Sequence, residues 1–339
     1  MKKSKLPKVV ILGAGFAGVR TALDLAKQKI LDITLVNKTP YHQYHADLYE
    51  VAATSIPEPQ KKLIPKISFE NLRGSVTIPL DDIFSKTNVG VIVGEAVSIN
   101  LKEQKVGLKN RKLLRYDVLV LALGSETNYF GIPNLEKFSL PLKDVDDALN
   151  IRNEIDEIFA HKKEKDKIHI IIGGGGFTGC ELAGELVGYL KNLSKIHTHK
   201  QHDIKLSIVE ACPVLINGSV PSVQSIAEKR LKKLGVHLYL NSKITHVSKK
   251  IVYAAPHLAL PYDLLIWTAG VRSNSLVDKL VGVHTEKTCL IVDKTLRLIS
   301  FKTYLRWGIL LIVSTKKKVA QYQQLPKRQS IKPSTLPKI

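Results

Sequence analysis

Two stretches of the chain share one pattern: a short β-branched apolar run, a glycine-rich turn, helical spacing of apolar residues, then a second apolar run. The first stretch spans Lys8–Val36 and the second spans Ile168–Val209. Short Val/Ile-rich runs next to glycines predict buried strands, and apolar residues three or four apart predict a helix between them. Each stretch therefore predicts a β-α-β unit, and their separation of about 160 residues predicts two related domains.

In both units the glycines lie where the first strand turns into the helix. They follow the spacing G-x-G-x-x-G, as Gly13, Gly15 and Gly18 and again as Gly174, Gly176 and Gly179. Glycines at these positions let the backbone approach a pyrophosphate, and the helix N-terminus presents free N–H groups to it. One such motif also occurs in ordinary turns, but two in this context predict two dinucleotide sites.

A polar residue ends the second strand of each unit, where an acidic side chain usually binds a ribose hydroxyl. Glu210 fits this role and disfavours a 2′-phosphate, which predicts NADH rather than NADPH. Asn37 can bind without charge, or it is a plain turn residue. Glu210 lies 31 residues after Gly179, and the polar stretch Lys191–Asp203 between them predicts a helix extension and a loop.

One phrase is repeated, as YDVLVLALG in Tyr116–Gly124 and as YDLLIWTAG in Tyr262–Gly270. Each copy predicts a buried strand that ends in small residues. Each also follows its own glycine loop by about 85 to 105 residues, so the repeat supports two domains of one type.

Together these motifs resemble the two-dinucleotide flavoprotein oxidoreductases, and most of all the type II NADH dehydrogenases, which are single-chain NADH:quinone oxidoreductases. The distinguishing phrases are HADLYEVAA within Tyr44–Ala53, TNYFGIP at Thr127–Pro133 and FTGCELAGEL at Phe177–Leu186. The resemblance covers residues 8 to about 302.

The resemblance implies an α/β fold with two Rossmann-like dinucleotide-binding domains. An FAD domain would comprise residues 6–145 and 260–302, with an NADH domain, residues 146–259, inserted between them. Hydride would pass from NADH to the flavin N5, and two electrons would then pass to a membrane quinone. The expected location is the cytoplasm or the cytoplasmic face of the membrane, with peripheral attachment. A homodimer is one option for the assembly.

The resemblance also implies roles for individual residues. Glu181 would be the acidic residue near flavin and nicotinamide that handles protons during quinone reduction, although a glutamate here also suits the helix dipole. Val97, in a strand predicted over Val89–Val97, would contact the adenine through its backbone. The other implied cofactor-binding residues are Gly13, Gly15, Gly18, Asn37 and Gly124 for FAD, Gly174, Gly176, Gly179 and Glu210 for NADH, and Gly270.

The cysteines and histidines decide whether a redox disulfide, a reactive thiol or a metal site is expected. Cys180, Cys212 and Cys289 contain no C-x-x-C pair, which argues against a redox disulfide beside the flavin. Cys180 sits at a predicted helix N-terminus, which would lower its pKa, but no partner cysteine is evident. The cluster His197, His199 and His202 lacks helical ligand spacing, so it predicts a solvated loop and no metal site.

Composition narrows the class of protein. The 339 residues are 44% apolar and carry a formal net charge of +21, with three cysteines, which excludes a disordered tail protein and a disulfide scaffold. No apolar run approaches the roughly 18 residues of a membrane-spanning helix. The basic residues show no nucleic-acid recognition module, so no nucleic-acid partner is expected.

The chain departs from the family after Lys302, where eight basic and no acidic residues follow. The family continues with a strand and a Gly-Asp that binds FAD, then an Ala-Gln segment and membrane-associated helices. Codons for Thr303–Leu311, read from their third base, can encode Ile-Phe-Ala-Val-Gly-Asp-Ile-Ala. The Gly is forced, because Trp307 has a single codon and Gly308 codons begin with GG.

The same offset over Gln323–Lys332 can restore the Ala-Gln segment. A frameshift near codon 302 is therefore expected, as a sequencing error or a genuine lesion, and a natural divergent tail is the alternative. In the chain as written, the FAD sheet would lack a strand, Thr303–Ile339 would be largely unstructured, and the family's membrane anchor would be missing. A natural tail would be disordered or lightly bound to a membrane through Gly308–Val313 and its lysines.

Two other functions stay open at this stage. One is another flavoprotein reductase, of the sulfide:quinone or ferredoxin type, which differs in its electron acceptor. The other is a non-catalytic remnant that binds NADH through the central domain without retaining FAD.

Overall fold

Two compact units make up the chain in the computed structural model, which describes residues 6–54, 69–163, 165–200, 203–280, 285–286, 289–293, 296–298 and 310–311. Both units are discontinuous in sequence. The first comprises Met1–His42, Ile78–Glu126 and Arg272–Ile339, and the second comprises Gln43–Thr77 and Thr127–Val271. The division into residues 6–145, 146–259 and 260–302 concerns which ligand each part binds, and it stays a prediction.

The helices and strands of the described residues are numbered along the chain. The α-helices are α1 (Phe16–Ala26), α2 (Leu48–Ala52), α3 (Phe69–Val76), α4 (Leu80–Phe84), α5 (Leu135–Phe138), α6 (Val145–His161), α7 (Phe177–Ile196), α8 (Pro221–Lys233) and α9 (Ser275–Asp278), and a 3₁₀ turn, His45–Asp47, precedes α2. The strands are β1 (Lys8–Leu12), β2 (Asp32–Asn37), β3 (Tyr41–Gln43), β4 (Thr77–Pro79), β5 (Val89–Val93), β6 (Ala96–Asn100), β7 (Lys105–Leu108), β8 (Leu113–Arg115), β9 (Val118–Leu121), β10 (Ser125–Thr127), β11 (Leu140–Pro141), β12 (Ile168–Gly173), β13 (Ile204–Val209), β14 (His237–Tyr239), β15 (Ile244–Val247), β16 (Ile251–Ala254), β17 (Leu258–Pro261), β18 (Leu264–Trp267), β19 (Val271–Ser273), β20 (Thr285–Glu286), β21 (Cys289–Leu290) and β22 (Leu310–Leu311).

The first unit is built on a parallel sheet of order β22-β9-β1-β2-β5. Successive residues of β1 point to opposite faces, with Val10 and Leu12 in one apolar core and Val9 and Ile11 in another. Both faces of the sheet are therefore covered, which explains why its strands read as continuous apolar runs.

The second unit repeats this arrangement in the parallel sheet β11-β18-β12-β13-β14. The strand within each repeated phrase pairs with the strand that precedes the glycine loop of its unit: β9 pairs with β1, and β18 pairs with β12. The equivalent orders confirm the expected α/β fold with two Rossmann-like units. No helix among the described residues combines the length and the apolar character needed to cross a membrane.

The prediction of one strand over Val89–Val97 is wrong, because the segment forms parts of two strands. The strand β5 ends at Val93, after pairing with Asn37 of β2. The chain turns at Gly94 and Glu95, and β6 then joins the antiparallel sheet β6-β7-β8. Val97 therefore lies on that antiparallel sheet.

The sheet of the first unit has an outer strand that was not expected. Leu310 and Leu311 pair in parallel with Val120 and Leu121 of β9, at the position that β11 holds in the second unit. The prediction of a missing strand is therefore wrong for these two residues. The rest of Thr303–Ile339 lies outside the described residues. The expectation that this segment is largely unstructured therefore stays a prediction.

Candidate functional site

Each glycine loop closes tightly on itself and leaves open space at the helix start. The first glycines, Gly13 and Gly174, have φ angles of +100° and +114°, which L side chains rarely adopt. A Cβ on Gly18 would overlap the carbonyl oxygen of Gly13, and one on Gly179 would overlap that of Gly174. The third glycine therefore lets the first helical turn touch the loop.

The middle glycines, Gly15 and Gly176, are the N-caps of α1 and α7. A Cβ on either one would meet no atom within 4 Å. Neither residue has a side chain that could cap the first-turn N–H groups, and a helix N-terminus without a side-chain cap suits an anion. Both loops thus fit a pyrophosphate. The helices α1 and α7 begin at Phe16 and Phe177, so the third glycine of each loop belongs to the first helical turn.

Asn37 and Glu210 reach the equivalent point of their loops. The Ala14 amide donates to Asn37 Oδ1 at 3.0 Å, and the Gly175 amide donates to Glu210 Oε2 at 2.5 Å. A second amide, of Cys212, donates to Glu210 Oε1 at 2.8 Å. Each oxygen of the Glu210 carboxylate keeps further acceptor capacity beyond these bonds.

The repeated Tyr-Asp phrase has a structural cause. The Asp117 carboxylate accepts from the Lys8 amide at 2.7 Å, and the Asp263 carboxylate accepts from the His169 amide at 2.9 Å. The Asp117 amide donates back to the Lys8 carbonyl, and the Asp263 amide donates back to the His169 carbonyl. These paired bonds hold β9 on β1 and β18 on β12.

The small residues after these strands support the glycine loops. A Cβ on Gly13 would overlap the Ala122 backbone, and one on Gly174 would lie 2.7 Å from Ala269 Cβ. Gly124 and Gly270 follow with positive φ angles of +69° and +79°.

The structure thus groups nearly all the predicted site residues by unit. The first unit brings Gly13, Gly15, Gly18, Asn37 and Gly124 to the end of its parallel sheet. The second unit brings together Gly174, Gly176, Gly179, Glu181, Glu210 and Gly270. Val97 is exposed and lies on the antiparallel sheet β6-β7-β8, not on the parallel sheet that carries the first group.

Glu181 lies in the first turns of α7, against which α2 packs. Desolvation, and then the nearby Asp47 carboxylate, raise the pKa of Glu181. Burial raises the pKa of the Tyr49 phenol as well, with further contributions from the charges of Glu181, Glu50, Asp47 and Glu185. The helix start and the segment around α2 therefore form an acidic cluster that favours the protonated form of Glu181.

The expectation of a lowered pKa at Cys180 is wrong. The residue is buried in α7, and its Sγ lies 3.5 Å from the Gly175 carbonyl oxygen. Burial, and then the charges of Glu210 and Glu181, raise the pKa of Cys180 to about 12. Desolvation therefore outweighs the helix dipole, and the thiol is not activated.

The expectation of a solvated histidine loop fails at His199. This residue is buried, and its ring meets the Phe159 ring edge-on at 5.4 Å. His197 is partly buried, and His202 lies outside the described residues. The part of the chain that the structure describes holds no group of three or more His, Cys, Asp or Glu side chains suited to a metal ion.

Two residues near the second loop were missed. The Thr268 hydroxyl lies 3.2 Å from the Gly173 carbonyl oxygen and 3.1 Å from that of Gly174, so it ties β18 to the loop. The exposed Phe130 ring lies against Gly270. Thr268 belongs to the repeated phrase and Phe130 to TNYFGIP, but neither pattern predicts the contact.

Comparison with known proteins identifies relatives of the chain. A model of the pyridine nucleotide-disulphide oxidoreductase family matches residues 7–302. The chain is 29% identical over 283 residues to a type II NADH:quinone oxidoreductase of Staphylococcus saprophyticus, a match covering 80% of the chain and 66% of that relative. The chain therefore spans just under two thirds of the relative's length.

Solved structures share the fold. NDH2 from Plasmodium falciparum in complex with NADH has a TM-score of 0.75 at 22% identity, covering 91% of this chain and 64% of that chain. The sulfide:quinone oxidoreductase from Aquifex aeolicus has a TM-score of 0.70 at 18% identity, covering 91% and 69%.

Proposed function

The chain belongs to the pyridine nucleotide-disulphide oxidoreductase family, and we propose that it acts there as an FAD-dependent NADH:quinone oxidoreductase. One observation carries the proposal: two equivalent glycine loops in one chain, each with open space at its helix N-terminus. Two such loops suit two dinucleotides, as a flavoprotein that oxidises NADH requires.

The two loops would take different ligands. The first, with Gly13, Gly15 and Gly18, would hold the pyrophosphate of FAD, and the second would hold that of NADH. Glu210 supports this division because its charge suits a free 2′-hydroxyl, whereas the neutral Asn37 lacks that selectivity. When bound, FAD would supply the redox chemistry, taking a hydride from NADH and passing two electrons to a quinone.

Glu181 would hold a proton during quinone reduction. Its raised pKa supports this role, because a carboxyl group that stays protonated nearer neutral pH is a better general acid. Asp47 would act through Glu181 as a positioning residue, since its charge disfavours the ionised form.

The acceptor follows the name of the staphylococcal relative, and the location follows the family resemblance. A membrane quinone, reached by peripheral association at the cytoplasmic face, is the proposed partner, and a homodimer is the proposed assembly. The family's membrane-associated helices belong to the part that follows Lys302.

A sulfide:quinone oxidoreductase is the second candidate, because its fold matches nearly as well. That chemistry relies on reactive paired cysteines. The buried Cys180, with a pKa of about 12, argues against it. A remnant that binds NADH without catalysis is the third candidate.

Anaerobic titration separates these candidates. The full chain, incubated with FAD and then desalted, is mixed with NADH while the flavin absorbance is followed, and quinone or sulfide is added afterwards. We expect NADH to bleach the flavin and a soluble quinone to restore its colour. Bleaching by sulfide instead would favour the second candidate, and absence of bound flavin would favour the remnant.

A further inference from the structure

Phe130 is an exposed aromatic residue held in an unusual conformation beside the second glycine loop. Its side chain is 59% exposed, yet its backbone φ is +52°, which a bulky L residue rarely adopts. The ring lies so close to Gly270 that a Cβ there would overlap it. The ring also meets the buried Trp267 edge-on, with centroids 6.5 Å apart.

Three hydrogen bonds hold this segment in place. The Phe130 amide donates to Asn128 Oδ1 at 2.8 Å, and the Asn128 amide donates to the Gly270 carbonyl at 3.3 Å. The Trp267 indole N–H donates to the Asn128 carbonyl at 2.9 Å. The ring is therefore fixed on the end of β18. Strained residues of this kind persist where surrounding structure holds them, and they cluster at ligand sites.

The strand order gives the direction of a bound dinucleotide. In the order β18-β12-β13, the glycine loop follows β12 and Glu210 follows β13. A dinucleotide with its pyrophosphate on the loop and its adenosine ribose at Glu210 must carry its other half over the end of β18. Gly270 lies three residues after that end, beneath the Phe130 ring.

We propose that the Phe130 ring is the packing surface for the nicotinamide half of NADH, an inference that rests on the proposed NADH site. Gly270 suits such a site because the absence of a side chain there leaves room for the Phe130 ring to lie on the backbone. A flat, rigid aromatic face binds a planar heterocycle by offset stacking or edge contact. Phe130 is then a binding residue, while Asn128 and Trp267 position it.

The test compares two ligands that differ only at this half. NADH and ADP-ribose share the adenosine and the pyrophosphate, but ADP-ribose lacks nicotinamide. Isothermal titration of the full chain and of Phe130→Ala gives both affinities, with any bound flavin first reduced by dithionite under anaerobic conditions so that NADH is not oxidised. We expect the substitution to weaken NADH binding about 5- to 20-fold and ADP-ribose binding less than about twofold.

Further variants separate a ring contact from a fold defect. Phe130→Tyr keeps the aromatic face and should retain the affinity for NADH. Phe130→Leu keeps apolar bulk without the flat ring, so it should lose part of the affinity for NADH. Ile226→Ala removes another exposed apolar side chain of the same unit, on α8, and should change neither affinity.

Three results would overturn the inference. Equal weakening of NADH and ADP-ribose would mean that Phe130 only supports the loop, and unchanged NADH affinity would mean that the ring touches no ligand. If the unchanged chain binds ADP-ribose and NADH equally well, nicotinamide has no subsite. If it binds neither, the proposed NADH site itself fails.

Discussion

At the scale of single residues, Asn37 and Glu210 occupy equivalent positions but differ in charge. Each side chain accepts a hydrogen bond from the amide that follows the first glycine of its loop, which is Ala14 for Asn37 and Gly175 for Glu210. Their shared geometry is structural, so selectivity between ligands rests on the one carboxylate. A negative charge beside the ribose repels a 2′-phosphate, whereas an amide does not.

Replacing Glu210 with Gln should therefore relax the preference for NADH over NADPH. We expect the ratio of kcat/KM values to fall about 10-fold, as measured by steady-state oxidation of both nucleotides. The control is Glu228→Gln on α8, which removes an exposed carboxylate paired with Lys232. A preference that stays unchanged in Glu210→Gln would show that this carboxylate does not face the ribose.

Glu181 offers a second prediction at this scale. Glu181→Gln should lower kcat about 10- to 100-fold and change the KM for NADH less than about threefold, because the loss affects proton transfer rather than binding. Asp47→Asn removes a like charge, so the pKa of Glu181 should fall and the corresponding limb of the kcat–pH profile should move to lower pH. Unaltered turnover in Glu181→Gln, or an unmoved limb in Asp47→Asn, contradicts the role.

At the scale of elements, the starts of α1 and α7 each combine two kinds of glycine. One has no space for a side chain, and the other faces open space. Gly179 lies buried against the Gly174 carbonyl, whereas Gly176 faces open space. The two positions lie within one turn of α7 but serve different purposes. One permits the fold of the loop, and the other permits a ligand to approach.

Alanine substitutions should separate these purposes. Gly179→Ala should lower the free energy of unfolding by about 2 kcal/mol or more, because the new Cβ meets backbone that cannot move aside. Gly176→Ala should leave the urea midpoint nearly unchanged while weakening ADP-ribose binding, because the methyl group enters the ligand's space. Equal stability of the two variants would contradict this assignment.

His169 makes the sheet of the second unit sensitive to acid. Its Nδ1 lies 2.7 Å from the Pro261 carbonyl oxygen, and its Nε2 lies 2.8 Å from the buried Ser207 hydroxyl. Burial lowers the pKa of His169 to about 4. Because the folded pKa lies below the unfolded value of about 6.5, the unfolded state binds the proton more tightly. The stabilisation is present above about pH 6.5 and is lost as the pH falls towards 4.

Urea unfolding at pH 7 and pH 5 measures this effect. We expect His169→Asn to reduce the acid-induced loss of stability by about 1 kcal/mol, after allowance for partial solvent exposure. His257→Asn, in an exposed turn, is the control and should leave the loss as it is. The same pH dependence in His169→Asn as in the unchanged chain would rule out this origin.

At the scale of the whole molecule, the family match and the sequence resemblance stop at the same place, residue 302. The eight basic residues that follow give the last segment a charge unlike the rest of the chain. Yet Leu310 and Leu311 still pair with β9. Two apolar residues suffice for that contact, so the pairing is compatible with either reading frame.

Sequencing the coding DNA across codons 295–335 decides between them. We expect one or two bases to differ near codon 302, so that the shifted frame encodes Gly-Asp and then Ala-Gln. A corrected chain should bind FAD more tightly than the 339-residue chain, measured by flavin retained after desalting. If the frame stands, the 339-residue chain is encoded as written, through a genuine lesion or natural divergence, and weak flavin retention is the expected result.

Much of the fold was predictable because its determinants are local. The apolar runs of β1, β12 and β13, and the glycine spacing after β1 and β12, act over a few residues. The strand predicted over Val89–Val97 failed because Gly94 and Glu95, whose types are depleted in strands, interrupt a run that is otherwise rich in valine and isoleucine.

The two β-α-β units, their glycine loops and the polar residues at their strand ends could be predicted from the amino-acid pattern, because each depends on neighbours along the chain. The folded structure was needed to show the raised pKa of Cys180, the burial of His199, the charge of Asp47 beside Glu181 and the Phe130 ring on Gly270. Each of these depends on desolvation or contact between segments distant in sequence, and no local pattern encodes such proximity.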